Sequence, residues 1–382
     1  MTSINKEILK YRRTRTLDLL IIEALGRYGP RNIFRVAREL GLPESTVRYR
    51  IRKMQRQKKL FMSASVYHTF LGLKKNLVFA DINPMFHEIV SDFFRRIDYW
   101  TYMRYVHGTH EGFHTLYIAP AESTEHVKDF IDEMKKLDII YDYNIYYSTC
   151  LYGVRPNTRW YDLDSDRWVF RFDEIPSLIE ESDTELPYNL RDPRDYPILA
   201  DEVDIYILKE LENDPTITYG ELAEKLGTTA QNVYYHYHKH IIKKRLLEGF
   251  EIAYRKFDPD TSIVIFFILT FPNYFYFAKT TNAFRTLPII HSMGKIIGEN
   301  KLFAVSYLPV KEARRLFYTL NELVKTGILK DYEYRIAYYK EYSKRQTISY
   351  KMFKDGRWEY PHEEYMNELH QYYRKAILQL KN

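Results

Sequence analysis

The chain has 382 residues, 45% of them hydrophobic, and a formal net charge of +6; this length exceeds one ordinary core and suits two to four domains. Its single cysteine, Cys150, closes no intrachain disulfide, and no secretory signal pattern opens the sequence, so a cytoplasmic protein is expected. The longest apolar run, Ile263 to Thr270, has the length of a buried strand, which excludes a membrane partner.

The first sixty residues carry 16 Lys and Arg against 5 Asp and Glu. Lys6, Lys10, Arg12, Arg13 and Arg15 make either a basic arm for DNA or a solvated terminus. Leu17, Leu20, Ile21, Ala24 and Leu25 then recur at helical spacing until Gly29-Pro30. A second stripe, Ile33, Val36, Ala37 and Leu40, is closed by Gly41, which suits a helix C-terminus. After a short turn a third stripe follows at Val47, Ile51 and Met54. Three short helices with a tight turn before the third predict a helix-turn-helix. With its apolar stripe inward, the third helix is expected to display Ser45, Thr46, Arg48, Tyr49, Arg50, Arg52, Lys53 and Arg56, with Arg35 beside it on the second. Short hydroxyls suit base edges, and guanidinium and ammonium groups suit guanine and phosphate. The stretch FMSASVYH after Leu60 reads as a wing strand touching the DNA backbone.

Beyond the wing the pattern predicts strands over Leu77–Ile82, Tyr102–Val106, Phe113–Ala119 and Asp142–Ser148, with amphipathic stretches over Met85–Ile97 and Ser123–Leu137. The order is β-α-β-β-α-β, the ferredoxin-like arrangement. Residues 155–200 contain five X-Pro pairs and read as an extended linker with a short hairpin over Trp160–Phe172; residues 162–202 are acidic, 4 Lys and Arg against 13 Asp and Glu. Residues 202–246 then lie without a gap over 16–60 at a shift of 186, with Asp204 on Asp18, Leu226-Gly227 on Leu40-Gly41, Val233 on Val47 and Tyr235 on Tyr49. This copy is nearly neutral, 6 against 7. The α+β pattern also returns, over Ile263–Leu269, Tyr276–Leu287, Ile290–Ile297, Leu302–Tyr307, Val310–Lys325 and Tyr332–Tyr339, and Arg167-Trp168 is echoed by Arg357-Trp358. The expected class is α+β: two tandem repeats of a winged helix-turn-helix plus a ferredoxin-like domain, forming an intrachain pseudo-dimer. Expected segments are 1–68 (arm and first winged helix), 69–154 (first α+β domain), 155–200 (linker), 201–256 (second winged helix), 257–345 (second α+β domain) and 346–382 (hairpin and helix).

The Leu17-Asp18 opening, the Ala37 to Leu42 end of the second helix, the Val47 to Met54 helix, and the Gly108 hairpin with its Ile118-Ala119-Pro120 strand end together resemble the Lrp/AsnC, or feast/famine, transcription regulators. The resemblance implies DNA binding and dimerisation through the α+β domains, here within one chain. Two departures matter. The family's hairpin glycine is followed by an aspartate near an amino-acid effector, whereas Gly108-Thr109-His110-Glu111 and Gly298-Glu299-Asn300-Lys301 lack it at that place. The equivalents of Arg48, Arg50 and Arg52 are Tyr234, His236 and His238, so the second copy has lost most guanidinium chemistry, leaving Gln231, Asn232, Tyr235 and Lys239 for any DNA contact.

His107, His110 and His114 straddle a hairpin, and His236, His238 and His240 read as ordinary histidines, so no metal is expected. No phosphate-cradling loop or nucleophile motif occurs, and the chain is expected to bind no cofactor and not to be an enzyme. The expected function is a sequence-specific regulator of double-stranded DNA acting mainly through the first winged helix. Homodimers or larger assemblies and an unidentified small-molecule effector are expected partners. The rivals are an assembly module that docks proteins on its winged helices, and a chromatin-like DNA-coating protein.

Overall fold

The helical stripes form two small three-helix units. In a computed structural model describing residues 14–149 and 152–380, these are α1 (Thr14–Tyr28), α2 (Ile33–Glu39) and α3 (Glu44–Arg56), then α7 (Glu202–Asn213), α8 (Tyr219–Leu226) and α9 (Ala230–Tyr235). The arm residues Lys6 to Arg13, the Arg15 side chain and Cys150 lie outside the described set. Ile21, Leu25, Val36, Val47, Ile51 and Met54 share one buried core. Gly41 and Gly227 take left-handed backbone angles (φ 61° and 63°) that end the second helix of each unit and allow the turn. Unlike α3, α9 runs into a π-helical turn over His236–Ile242.

The wing strands are paired with each other. β1 (Leu60–Val66) runs antiparallel to β9 (Leu247–Tyr254), with Leu60 opposite Tyr254 and Val66 opposite Leu247. The expected wing strand is present, and β1 spends one edge on the other repeat. The exchange reaches the cores, because Ile252 of β9 is buried among the helices of the first unit and α7 packs on β1.

Each α+β half places its four strands in the order fourth, first, third, second. In the first half these are β5 (Ile140–Ser148), β2 (Leu73–Ile82), β4 (Glu111–Pro120) and β3 (Trp100–His107), with α4 (Val90–Phe94) and α5 (Thr124–Lys136). The second half uses β13 (Asp331–Tyr338), β10 (Ser262–Thr270), β12 (Lys301–Pro309) and β11 (Ile290–Lys295), with α10 (Tyr274–Phe284) and α11 (Val310–Lys325). The halves meet at both edges: His107 lies opposite Ile336, and beyond β5, Ser148 lies opposite Ile296 while β6 (Tyr152–Gly153) adds to β11. Each half thereby covers the strand edges the other exposes. Strand alternation sorts the residues: Ile263, Ile265, Phe267 and Leu269 join the core under α10 and α11, whereas Val264, Phe266 and Ile268 join the core of the other half. Between the halves Phe266 sits 6.1 Å from Phe79 and 5.1 Å from His114.

Residues 155–200 are not an extended linker. The hairpin β7 (Tyr161–Asp162) and β8 (Arg167–Trp168) leads into α6 (Ile175–Glu181), and Trp160, Phe172, Ile175 and Ile179 are buried in the core of the second half. Reciprocally, the hairpin β15 (Phe353–Lys354) and β16 (Arg357–Trp358) and α12 (His362–Leu380) cover the first half, α12 packing on α4 and α5. Each repeat's tail lies on the other repeat. The two repeats form an intrachain pseudo-dimer.

Candidate nucleic-acid interface

The surface of the first winged helix follows from the three residues that α3 buries. Val47, Ile51 and Met54 are at most 6% exposed, which turns Ser45, Arg48, Tyr49, Arg52 and Arg56 to solvent, with Thr46 and Lys53 half-buried on the flanks and Arg35 exposed on α2. From Ser45 to Arg56 the stripe runs about 16 Å at 1.5 Å per residue, a length that fits along a major groove. Tyr49 is 60% exposed at its middle. Arg48 is held by Glu44 one turn earlier, and Arg35 lies over the Tyr28 ring at 4.5 Å from its centroid. Arg52, Lys53 and Arg56 have no acidic partner among the described residues. The pair of Arg48 with Glu44 is solvent-exposed and worth little, so it yields readily to a phosphate.

Arg50 is different. Its guanidinium donates to Asp18 of α1 at 2.8 Å, with both side chains only about a fifth exposed (21% and 18%). The expectation that Arg50 faces DNA is corrected: it lies between Val47 and Ile51, close enough to the buried stripe to reach back across the unit. Arg31 also turns inward. It donates to the carbonyl oxygens of Pro215 (3.2 Å) and Ile217 (2.7 Å) and lies over the rings of Tyr219 and Tyr237, fastening one winged helix to the other.

The same face of the second winged helix is aromatic. Gln231, Tyr234, Tyr235 and Lys239 are exposed, but the Asn232 amide donates to Thr228 at 3.2 Å, and Tyr234 packs at 4.2 Å from the His238 ring. His238 in turn lies 3.2 Å from the Tyr219 hydroxyl. A stripe of tyrosine and histidine replaces the cationic one.

The hairpin histidines do not converge. His114 is buried, stacked at 4.3 Å on Phe79 and bonded through Nδ1 to the Val78 carbonyl, and burial pushes its pKa down to about 4. His107 instead meets Glu341 at 2.7 Å. The second winged helix does gather ionisable groups: Asp201, Asp204, His236 and His240 bring one ligand atom each to within 4.8 Å of one another. Linear spacing hides this group, because Asp204 lies 32 and 36 residues from its two histidines. The signal that finds it is the shift of 186, which places Asp204 and His236 on Asp18 and Arg50.

An AsnC-type helix-turn-helix domain matches residues 201–236, and a winged helix-turn-helix DNA-binding domain matches residues 14–57. Two helix-turn-helix domains, the second of AsnC type, therefore lie in one chain. The domain matched over residues 14–57 is of DNA-binding kind. No curated protein matches the sequence. Among solved structures, AsnC of E. coli is 16% identical, with 99% of its chain covering 40% of this one at a TM-score of 0.28. The leucine response regulatory protein LrpA of Mycobacterium tuberculosis is 16% identical over 34% of this chain and 89% of its own, at 0.28. The siroheme decarboxylase NirDL is 13% identical over 97% of this chain and 100% of its own, at 0.48.

That last match corrects the expectation that the chain is not an enzyme. The solved chain that this one covers from end to end is named a siroheme decarboxylase. The expectation rested on missing linear motifs, and such motifs say nothing of a site assembled from separate strands. No helix among the described residues is long and apolar enough to cross a membrane.

Proposed function

We propose that the protein is a sequence-specific regulator of double-stranded DNA that engages the duplex chiefly through its first winged helix. The observation that carries this reading is the exposed stripe Ser45, Arg48, Tyr49, Arg52 and Arg56, cationic in the first repeat and tyrosine-rich at the equivalent positions of the second. Arg48 and Arg52 reach guanine or phosphate, Lys53, Arg56 and Arg35 meet the backbone, and Ser45, Thr46 and Tyr49 approach base edges. The second winged helix contributes through Gln231, Tyr235 and Lys239 at most, since Asn232 is engaged internally. Self-association of the pseudo-dimer belongs to the same reading.

Gel shifts on sequences selected from a random pool test it. Replacing Arg48 and Arg52 together by alanine should cost about 2–6 kcal/mol, at roughly 1–3 each for base-reading contacts. An unchanged midpoint rejects the interface. Equal affinity for selected and random duplexes favours a coating protein, and retention of a protein partner without DNA favours a docking module.

A further inference from the structure

The two repeats balance the equivalent aspartate in different ways. In the first, Asp18 is neutralised by the Arg50 guanidinium at 2.8 Å, and the buried Met54 fills the next turn. In the second, the equivalent Asp204 is completely buried, and the residues at the places of Arg50 and Met54 are His236 and His240. Asp201, which falls on Arg15, adds a second carboxylate. Two cations and a thioether have thus been exchanged together for two imidazoles and a carboxylate. Among the described residues no lysine or arginine pairs with Asp201 or Asp204, so the buried charge has lost its fixed counter-ion.

What replaced that charge has the form of a ligand set. The Nδ1 atoms of His236 and His240 lie 2.8 and 3.0 Å from the two Asp204 oxygens, and 3.6 and 3.5 Å from the Asp201 oxygens. Ligands about 2 Å from a tetrahedral ion stand about 3.3 Å apart, and one ligand atom from each of the four residues already lies within 4.8 Å of the others. The rings stand 4.7 Å apart at 69°, both presenting Nδ1 to the same point. Two elements fix the geometry: the capping box of α7 holds Asp201 and Asp204 through reciprocal backbone bonds, and the π-helical turn over His236–Ile242 carries both histidines. Single π turns recur at functional sites, where they redirect side chains. Asp201 is 42% exposed, which leaves an approach from solvent.

We propose that Asp204, His236 and His240, with Asp201 as fourth ligand, bind a divalent first-row transition ion, of which Zn2+, Co2+ and Ni2+ suit two imidazole nitrogens and two carboxylate oxygens. The ion joins the start of α7 to the recognition helix and locks the latter's direction. This holds whether or not the first winged helix binds DNA.

The test uses the full-length chain, stripped with a chelator and dialysed against Co2+ or Zn2+. One ion per chain should be retained, and Co2+ should produce the visible absorption of a tetrahedral N/O site. The comparison is the double variant His236→Arg with His240→Met, which rebuilds the first repeat's own arrangement and so keeps a partner for Asp204. It should keep its circular dichroism, lose the Co2+ band, bind at least about 100-fold more weakly, and show no rise in Tm with metal. Failure of the wild-type chain to retain stoichiometric metal, or equal retention by the folded variant, overturns the site and leaves Asp204 a plain acceptor of two histidine hydrogen bonds.

Discussion

Arg50 and Asp18 close a 2.8 Å ion pair inside the first winged helix, so one of the cations on the recognition helix serves the fold. Replacing Arg50 by alanine strands a half-buried carboxylate and removes a charge-assisted hydrogen bond worth about 1.5–3 kcal/mol. Urea denaturation should register that loss, while the salt dependence of DNA binding by the folded variant stays unchanged. Arg52→Ala should do the opposite: stability within about 0.5 kcal/mol of the parent, and a salt slope reduced by about one. If Arg50→Ala flattens the slope and Arg52→Ala does not, the roles given to the two residues are reversed.

Arg31 supports a second prediction, about how the winged helices hold together. Its guanidinium satisfies the Pro215 and Ile217 carbonyls and covers two tyrosine rings, each centroid 5.0 Å away. Arg31→Ala should cost about 1–3 kcal/mol, and Arg31→Lys should recover only part of it, because an ammonium lacks the planar fork that serves two acceptors. Hydrogen exchange localises the effect: amides near Thr216 to Tyr219 should exchange faster in the alanine variant. Unchanged exchange there would mean that the paired strands β1 and β9 alone hold the units together.

The inward half of this architecture was legible and the exchanged half was not, for a physical reason. Stripes such as Val47, Ile51 and Met54 fix which face of a helix is buried, and all three are buried. The strand periods and the Trp160–Phe172 hairpin likewise emerge within a few residues of their expected bounds. Periodicity says nothing about the partner, however. Trp160 and Trp358 read as tail residues of their own repeats, yet each tail covers the other repeat, and β1 finds β9 across the chain. The Met85–Ile97 stretch breaks into a 3-10 turn and the short α4, because Pro84 and the Asn83 side chain, which accepts from the Met85 amide at 3.1 Å, set a tighter first turn. Arg50 and His236 turn inward alike, because a residue beside the apolar stripe can point either way and only an aspartate 32 positions earlier decides it.

Glu212 makes stability depend on pH. It lies where the repeats join, its carboxylate accepting the Ile348 amide at 2.7 Å, and burial pushes its pKa up from 4.5 to about 7 against the pull of Arg345 and Lys75. The folded state thus prefers the protonated acid. That preference contributes stability in full below about 4.5, and it is lost as the pH rises through about 7. The change across this window amounts to at most about 3 kcal/mol. Glu212→Gln, which stays neutral, should flatten the stability profile between pH 5 and 8, measured by urea melts. A variant whose profile runs parallel to the parent's would assign the dependence to other groups.

Trp358 tests the exchanged tails. Its indole N–H donates to the Leu71 carbonyl at 2.6 Å, and its ring lies 4.8 Å from Phe353 and 6.2 Å from Tyr99, so it pins the hairpin of the second repeat onto the first. Trp358→Ala removes a buried aromatic and leaves a carbonyl unpaired, at a cost of about 3–5 kcal/mol. Trp358→Phe keeps most of the packing and should lose about 1–3 kcal/mol from the carbonyl alone. Because α12 follows this hairpin onto α4 and α5, limited proteolysis should cut the alanine variant between Ser349 and His362 while sparing the hairpin around Trp168, which covers the other half. Equal cleavage of both hairpins would mean that the two tails open as one unit and that Trp358 is not the local anchor.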